Sequence, residues 1–202
     1  MRVVAPIVEG DGEVAALPIL LRRISAWLSP EVPTTIAQPI RVRRDRFLNR
    51  DEDFHRHLLL AAAKSGEGGW ILVVLDADDD CPAKLGPQVL ERARAIVPHR
   101  TVSVVLANRE YEAWFLAAAR SLHGQRGFTF DCPPHFDPER PRDAKGWLAN
   151  RMAKGKYREM TDQPAFSANM DLQQAFDLSR SFRKLCSEWS KHADPGPGPG
   201  RD

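Results

Sequence analysis

The sequence predicts an α/β fold: a mainly parallel sheet flanked by helices, with a small C-terminal helical appendage. Three apolar runs have the length and composition of buried strands, at residues 3–8, 70–75 and 101–107. Each is followed by a segment with apolar residues at helical spacing, and strands that alternate with helices are typical of a parallel sheet. At 202 residues the chain is long enough to bury the core of one such domain.

The predicted elements follow one another in a regular order. Apolar residues at helical spacing predict the first helix over 13–28, and Pro30 marks its end. Residues 34–42 have an extended pattern, in which Pro39 favours the edge of the sheet. Further helices are predicted over 51–64, 86–96 and 111–122.

The last third of the chain has a weaker pattern. Residues 124–142 are rich in glycine and proline and are predicted to be irregular. Short helices are predicted over 143–152, 171–178 and 181–192. We therefore divide the chain into a core at 1–123, an appendage at 124–192 that packs on the core, and a disordered Pro/Gly tail at 193–202.

Charge and cysteine content limit the classes of function. A net charge of +2 is only mildly basic, so it neither requires nor excludes a nucleic-acid partner. The chain has three cysteines, an odd number, and no two of them form a Cys-x-x-Cys motif. This pattern indicates reduced thiols and therefore a cytoplasmic protein. No apolar run is long enough to span a bilayer, so we expect a soluble protein without a membrane partner.

Two acidic clusters directly follow predicted strands. Glu9 and Glu13 follow the first run, and Asp76, Asp78 and Asp80 follow the second. Because the carboxyl ends of parallel strands meet at one edge of a sheet, we expect these carboxylates to converge. Packed carboxylates repel one another unless a hard cation with oxygen ligands, such as Mg²⁺ or Mn²⁺, lies between them. The sequence therefore predicts a divalent metal site at this edge.

Two further glutamates follow the third strand. Glu110 and Glu112 would reach the same edge and supply ligands for a second metal ion. Residues two apart on a helix point in nearly opposite directions, so only one of the two is expected to face the site. Both remain candidates.

Basic residues are candidates for binding the phosphates of nucleic acid. The densest basic stretch begins at residue 41, and a second patch lies near residue 155. The candidates are Arg41, Arg43, Arg44, Lys145, Lys154 and Lys156. The alternative is that these side chains are solvated surface groups in a chain in which arginine is abundant.

Both acidic clusters resemble the motifs of the Toprim domain, which occurs in topoisomerases, primases and OLD-type nucleases. The likeness rests on Glu9-Gly10 with Glu13 four residues on, and on Asp76-x-Asp78 after an apolar strand. A closer resemblance is to a bacterial Toprim-like family of unknown function, often encoded beside ATPases in phage-defence loci. It is carried by residues 8–20, 76–82 and 108–114.

This resemblance implies a Toprim/Rossmann-like fold in which residues 1–123 are the catalytic core. It implies that Glu9 is the catalytic acid or base and that Asp76, Asp78 and Glu13 hold one or two Mg²⁺ ions. The activity it implies is a Mg²⁺-dependent nuclease that is the effector of a phage-defence system. The resemblance does not assign a catalytic lysine among Lys145 and the other candidates.

Two other functions remain open. The first is a non-catalytic Toprim-like subunit whose acidic edge docks on a partner ATPase, since the chain has no P-loop motif of its own. The second is an HAD-type phosphatase with Asp76 as nucleophile and Asp78 as acid, although that fold has no use for Glu9 and Glu13. The sequence does not predict the oligomeric state.

Overall fold

The sheet of this protein is parallel throughout. The computed structural model describes residues 2–131 and 136–193. Within them the strands are Arg2–Val8 (β1), Thr34–Ile36 (β2), Ile40–Arg41 (β3), Trp70–Asp76 (β4) and Thr101–Ala107 (β5). The order across the sheet is β2-β1-β4-β5, and β3 pairs with the carboxyl end of β1. All these pairings are parallel, so the predicted α/β fold class is confirmed.

Helices cover both faces of the sheet. In chain order they are Asp11–Leu28 (α1), Arg44–Asn49 (α2), Asp51–Ser65 (α3), Pro82–Ile96 (α4), Ala113–Ala117 (α5), Ala144–Ala149 (α6), Glu159–Asn169 (α7), Leu172–Leu178 (α8) and Arg180–Ala193 (α9). Within the described residues, no helix is long and apolar enough to cross a lipid bilayer.

Alternate residues of the strands feed two hydrophobic cores. In β4, Leu72 and Val74 face a core shared with α1, α5, α7 and α9. Ile71 and Val73 face the opposite core, shared with α2, α3 and α4. Every residue of β4 is buried, which explains why this strand is a continuous apolar run rather than an alternating one.

Several helices differ from the prediction. Helix α4 begins at Pro82 instead of residue 86, and the helix predicted over 111–122 divides into α5 and a 3₁₀ turn at Ala119–Leu122. Helices α2 and α7 were not predicted. Helix α7 is weakly amphipathic and contains Pro164, so its sequence carries little helical signal. It forms by packing along α1, because tertiary burial supplies most of the stability of such a helix.

The C-terminal helices pack on the face of the sheet that carries α1. The indole rings of Trp189 in α9 and Trp70 in β4 meet edge to face, with 5.6 Å between centroids. Glu188 of α9 accepts a 2.6 Å hydrogen bond from Ser103 Oγ in β5. Of the predicted Pro/Gly tail, residues 194–202 lie outside the described residues.

Candidate active site

A cleft of about 540 Å³ opens at the carboxyl edge of the sheet. Strands β1 and β4 are neighbours, so the turns that follow them start side by side. The two acidic clusters therefore meet, as the strand order requires. Acidic residues that line the cleft and were named from the sequence are Glu9, Glu13, Asp76, Asp78 and Glu110.

The turn from β1 into α1 carries Glu9 and Glu13. The backbone N–H of Gly10 donates to Glu13 Oε2 at 2.5 Å, which fixes that carboxylate at the start of α1. Glu9 Oε2 is buried and has no hydrogen-bond partner among the described residues. Burial, followed by the negative charges of Asp78 and Glu13, raises the pKa of Glu9 to about 7. Glu9 can therefore hold or release a proton near neutral pH.

Asp76 ends β4 and is only 8% exposed. Its Oδ1 accepts a 2.7 Å hydrogen bond from the Tyr111 backbone N–H, and its Oδ2 lies 4.0 Å from Lys145 Nζ. Burial, followed by the charges of Glu112 and Glu13, raises the pKa of Asp76 well above its ordinary value. The carboxylates on neighbouring strand ends thus oppose one another's ionisation.

Arg44 organises the turn after β4. Its Nε donates to the Asp76 carbonyl at 2.8 Å, and its Nη2 donates to the Ala77 carbonyl at 3.1 Å. The same guanidinium lies 2.5 Å from Asp80 Oδ2 and 3.4 Å from Asp78 Oδ2. Its side chain is only 10% exposed. Arg44 was named from the sequence as a phosphate-binding candidate. In the structure its guanidinium is instead bound to the turn that presents the Asp-x-Asp motif, and Asp80 is its ion-pair partner.

Lys145 is the lysine that the structure brings to the cleft. Glu110 Oε2 accepts from the backbone N–H groups of Ala144 and Lys145, at 2.8 and 3.0 Å, and so holds the start of α6. Lys145 Nζ lies 3.4 Å from Glu159 Oε1. Burial opposes its charge, but the surrounding carboxylates, Glu112 foremost, outweigh burial and raise the pKa of Lys145. The lysine is a fixed positive charge in the acidic cluster.

Glu112 and Gln163 lie beneath the cleft. Gln163 Nε2 donates to Glu13 Oε1 and to Glu112 Oε1, at 3.2 Å each. Both side chains are fully buried. Burial raises the pKa of Glu112 to about 8, although Lys145 acts in the opposite direction. Glu110 lines the cleft, whereas Glu112 is buried beneath it and is not a lining residue. Helical spacing is not the reason for this difference, because α5 begins only at Ala113.

Sequence reasoning missed Gln163. It stands in a polar segment 150 positions from Glu13, and a single glutamine there has no local signal. The close passage of α7 over α1 places it: the space beside Gly12 is filled by the Gln163 side chain. An unpredicted helix therefore contributes a donor to two carboxylates of the cluster.

Arginines form one side of the cleft. Arg41 and Arg43 line it, and Arg41 Nε lies 3.1 Å from Asp11 Oδ1. Lys154 and Lys156 are exposed in the segment between α6 and α7 and are not among the residues that line the cleft. Of the predicted basic residues, the structure thus brings Arg41, Arg43, Arg44 and Lys145 to the acidic cluster.

The comparison with protein families bears on the whole arrangement. The family DUF4276, described as a domain of unknown function, matches residues 8–188. The chain belongs to this family. The match includes both acidic clusters, Lys145 and Gln163. No curated protein and no solved structure matches the chain significantly, and the relationship to Toprim domains stays a prediction from the motifs.

The donors of the DUF4276 cleft suit a hard cation by their chemistry. Carboxylate oxygens are the ligands that Mg²⁺ prefers, and a buried Glu9 oxygen has no hydrogen-bond partner in the part of the chain that the structure describes. As the side chains stand, no three His, Cys, Asp or Glu residues within 2–131 and 136–193 form a ready ligand group. Asp78 is 58% exposed at its side chain and 3.4 Å from Arg44, so ligation of a cation by Asp78 would compete with this ion pair.

Proposed function

We propose that this DUF4276 protein is a Mg²⁺-dependent phosphodiester hydrolase that acts on nucleic acid in the cytoplasm, with Mn²⁺ as a substitute ion. The observation that supports it most is the meeting of Glu9, Asp76 and Asp78 in one cleft that also carries Arg41 and Arg43. Carboxylates can hold a cation while arginines bind the phosphates on either side of a scissile bond. Its role as the effector of a phage-defence system rests on the resemblance alone.

The residues of the chain have distinct tasks in this proposal. Asp76 and Asp78 would hold the ion, with Glu13 or Glu110 completing its shell. Glu9, whose pKa is about 7, would move a proton between the attacking water and the leaving oxygen. Lys145 would balance negative charge that develops on the phosphate. A bound Mg²⁺ would supply charge neutralisation and a more acidic water.

Cleavage of nucleic acid tests the proposal. Plasmid DNA and a structured RNA are each incubated with purified protein and Mg²⁺ or Mn²⁺, and nicking is followed on gels. We expect Asp76→Asn to abolish cleavage, because the amide removes a ligand charge while its carbonyl can still accept from Tyr111. Asp177→Asn is the matched control, since Asp177 is exposed on α8, outside the lining of the cleft.

Equal cleavage by the wild type and Asp76→Asn, with both folded by circular dichroism, would refute the nuclease assignment. A pH profile adds a second readout. The rate of the wild type should depend on pH through the ionisation of Glu9, and Glu9→Gln should lose that dependence together with most of the activity.

A second candidate is a non-catalytic subunit that docks on a partner ATPase. It is favoured by the internal pairing of the cluster, since Asp80 is bound to Arg44 and Asp76 faces Lys145. Calorimetry without Mg²⁺ binding, combined with ATPase co-purification that survives Asp76→Asn, would support this function over the nuclease. The phosphatase alternative has less support, because a nucleophilic Asp76 would be only 8% exposed.

A further inference from the structure

A second cavity, of about 260 Å³, adjoins the acidic cleft. Arg41, Arg43 and Arg46 line both spaces. Helix α3 adds three further charged or titratable residues to the wall of the second cavity: Asp53, Arg56 and His57. Asp53 and Arg56 were not named from the sequence, whereas Arg46 belongs to the basic stretch that begins at residue 41. The cavity combines four arginines with one carboxylate, that of Asp53.

Asp53 holds two of these arginines in place. Its carboxylate is 10% exposed, and it accepts from Arg46 Nε at 2.8 Å and from Arg56 Nη2 at 2.9 Å. Each guanidinium has five N–H donors, so both keep most of their donors for a ligand. Because the buried carboxylate already orders them, less side-chain entropy would be lost when an anion binds.

The cavity has an excess of positive charge. Four arginine charges stand against two aspartate charges, those of Asp53 and of Asp11 beside Arg41, which leaves two positive charges in excess. Arg43 is exposed and forms no ion pair with any residue in 2–131 or 136–193.

His57 is also fixed at the cavity. Its Nδ1 lies 2.6 Å from the Asp53 carbonyl oxygen, which can only accept, so Nδ1 carries the hydrogen. Its ring lies edge to face against Phe47, with 6.1 Å between centroids.

We propose that this arginine cavity is a phosphate-binding subsite for the nucleic-acid strand whose neighbouring phosphodiester lies in the acidic cleft. The planar guanidinium fork matches phosphate oxygens bidentately. Arg41, Arg43 and Arg46 line both spaces, so the two adjoin. The inference rests on the proposed function for its choice of nucleic acid. The phosphate is either an internal diester or the monoester at the 5′ end of the strand.

Binding without cleavage tests this subsite separately from catalysis. A short single strand, as DNA and as RNA, carries a fluorophore at its 3′ end and either a 5′-phosphate or a 5′-hydroxyl. Affinity is measured by anisotropy in EDTA at several salt concentrations. We expect Arg56→Gln to weaken binding about tenfold and to reduce the salt slope by about 0.7, as one lost phosphate contact does on a single strand.

Arg94→Gln is the matched control. It makes the same change of charge, in the last turn of α4. Because α4 runs antiparallel to the strands, this turn lies at the amino ends of the strands, away from the cleft. Arg56 is 69% exposed at its side chain, so its replacement should leave the fold intact. A double variant, Arg46→Gln with Arg56→Gln, should weaken binding further.

The outcomes separate the two sources of phosphate. A wild-type preference for the 5′-phosphorylated strand that Arg56→Gln removes assigns the cavity to a terminal phosphate. An equal loss with both strands assigns it to an internal diester. Unchanged affinity and salt slope in the double variant, or no binding by the wild type at low salt, would overturn the subsite. If Arg56→Gln loses binding and the wild type cleaves no nucleic acid, the subsite is supported and the nuclease proposal is rejected.

Discussion

Replacing Glu112 by glutamine should change how the stability of the protein depends on pH. Glu112 is fully buried, its Oε1 accepts from Gln163, and its Oε2 has no partner among the described residues. Burial raises its pKa from 4.5 to about 8. The folded protein therefore keeps this carboxyl protonated where the unfolded chain has already released the proton.

The sign and size of the effect follow from linkage. Because the pKa is raised on folding, the contribution of Glu112 is complete below about pH 4.5 and is lost as the pH rises through about 8. At about 1.4 kcal/mol for each pH unit, the loss over this range approaches about 5 kcal/mol. Glu112→Gln has no proton to lose at this position. Its free energy of unfolding should fall less steeply with pH, and it should exceed that of the wild type by several kcal/mol near pH 8.

Urea denaturation followed by tryptophan fluorescence measures this, in EDTA, at intervals from about pH 5 to about pH 9. Glu91→Gln on the exposed side of α4 is the control and should run parallel to the wild type. If the curves of Glu112→Gln and the wild type are parallel across this range, Glu112 is not buried in the protonated form and the electrostatic account of the cluster is wrong.

Two further substitutions test how the site is supported. Gly12→Ala would place a methyl group against the Gln163 side chain, so we expect its free energy of unfolding, measured by thermal unfolding, to fall by about 1–3 kcal/mol. Gly86→Ala is the control: a methyl group there would have nothing within 4 Å, so its free energy of unfolding should rise by about 0.4–1 kcal/mol. Equal effects would contradict the close packing of α7 on α1. His192, whose Nε2 lies 3.6 Å from the Glu188 carboxylate, and hydrogen bonds from Lys184, Lys191 and Ser103 lower the pKa of Glu188. The stabilisation by Glu188 is therefore present above the ordinary value of 4.5 and is lost as the pH falls. Glu188→Gln should therefore destabilise the protein at neutral pH by about 1–3 kcal/mol and much less in acid, and an equal effect at both pH values would exclude an ionised Glu188.

The strands and the acidic clusters were accessible from the sequence because their signals are local. A strand buried on both faces is an unbroken apolar run, and β1 and β4 both have that pattern. The chain direction then places Glu9, Asp76 and Asp78 at strand ends, and the carboxyl ends of parallel strands share an edge. Those facts suffice to predict that the carboxylates meet.

The supporting residues depend on long-range packing and had no such signal. Arg43 and Arg44 are adjacent basic residues, but Arg43 is exposed at the cleft while Arg44 turns inward to bind the carbonyl groups after β4. Asp53, which orders two arginines of the second cavity, has the sequence appearance of an ordinary acidic residue in the first turn of a helix. Which role each side chain has depends on the element that packs against it.

By itself, the sequence determined a parallel α/β sheet with an acidic edge. The spacing of apolar residues, the direction of each strand and the point where it ends are all set by residues that are neighbours in the chain. Tertiary structure alone decided that Lys145 lies beside Asp76 in the cluster, that Gln163 joins two of its carboxylates and that Glu112 is buried beneath them. These contacts join residues far apart in the chain, and their energies depend on burial, which exists only after the helices have packed on the sheet.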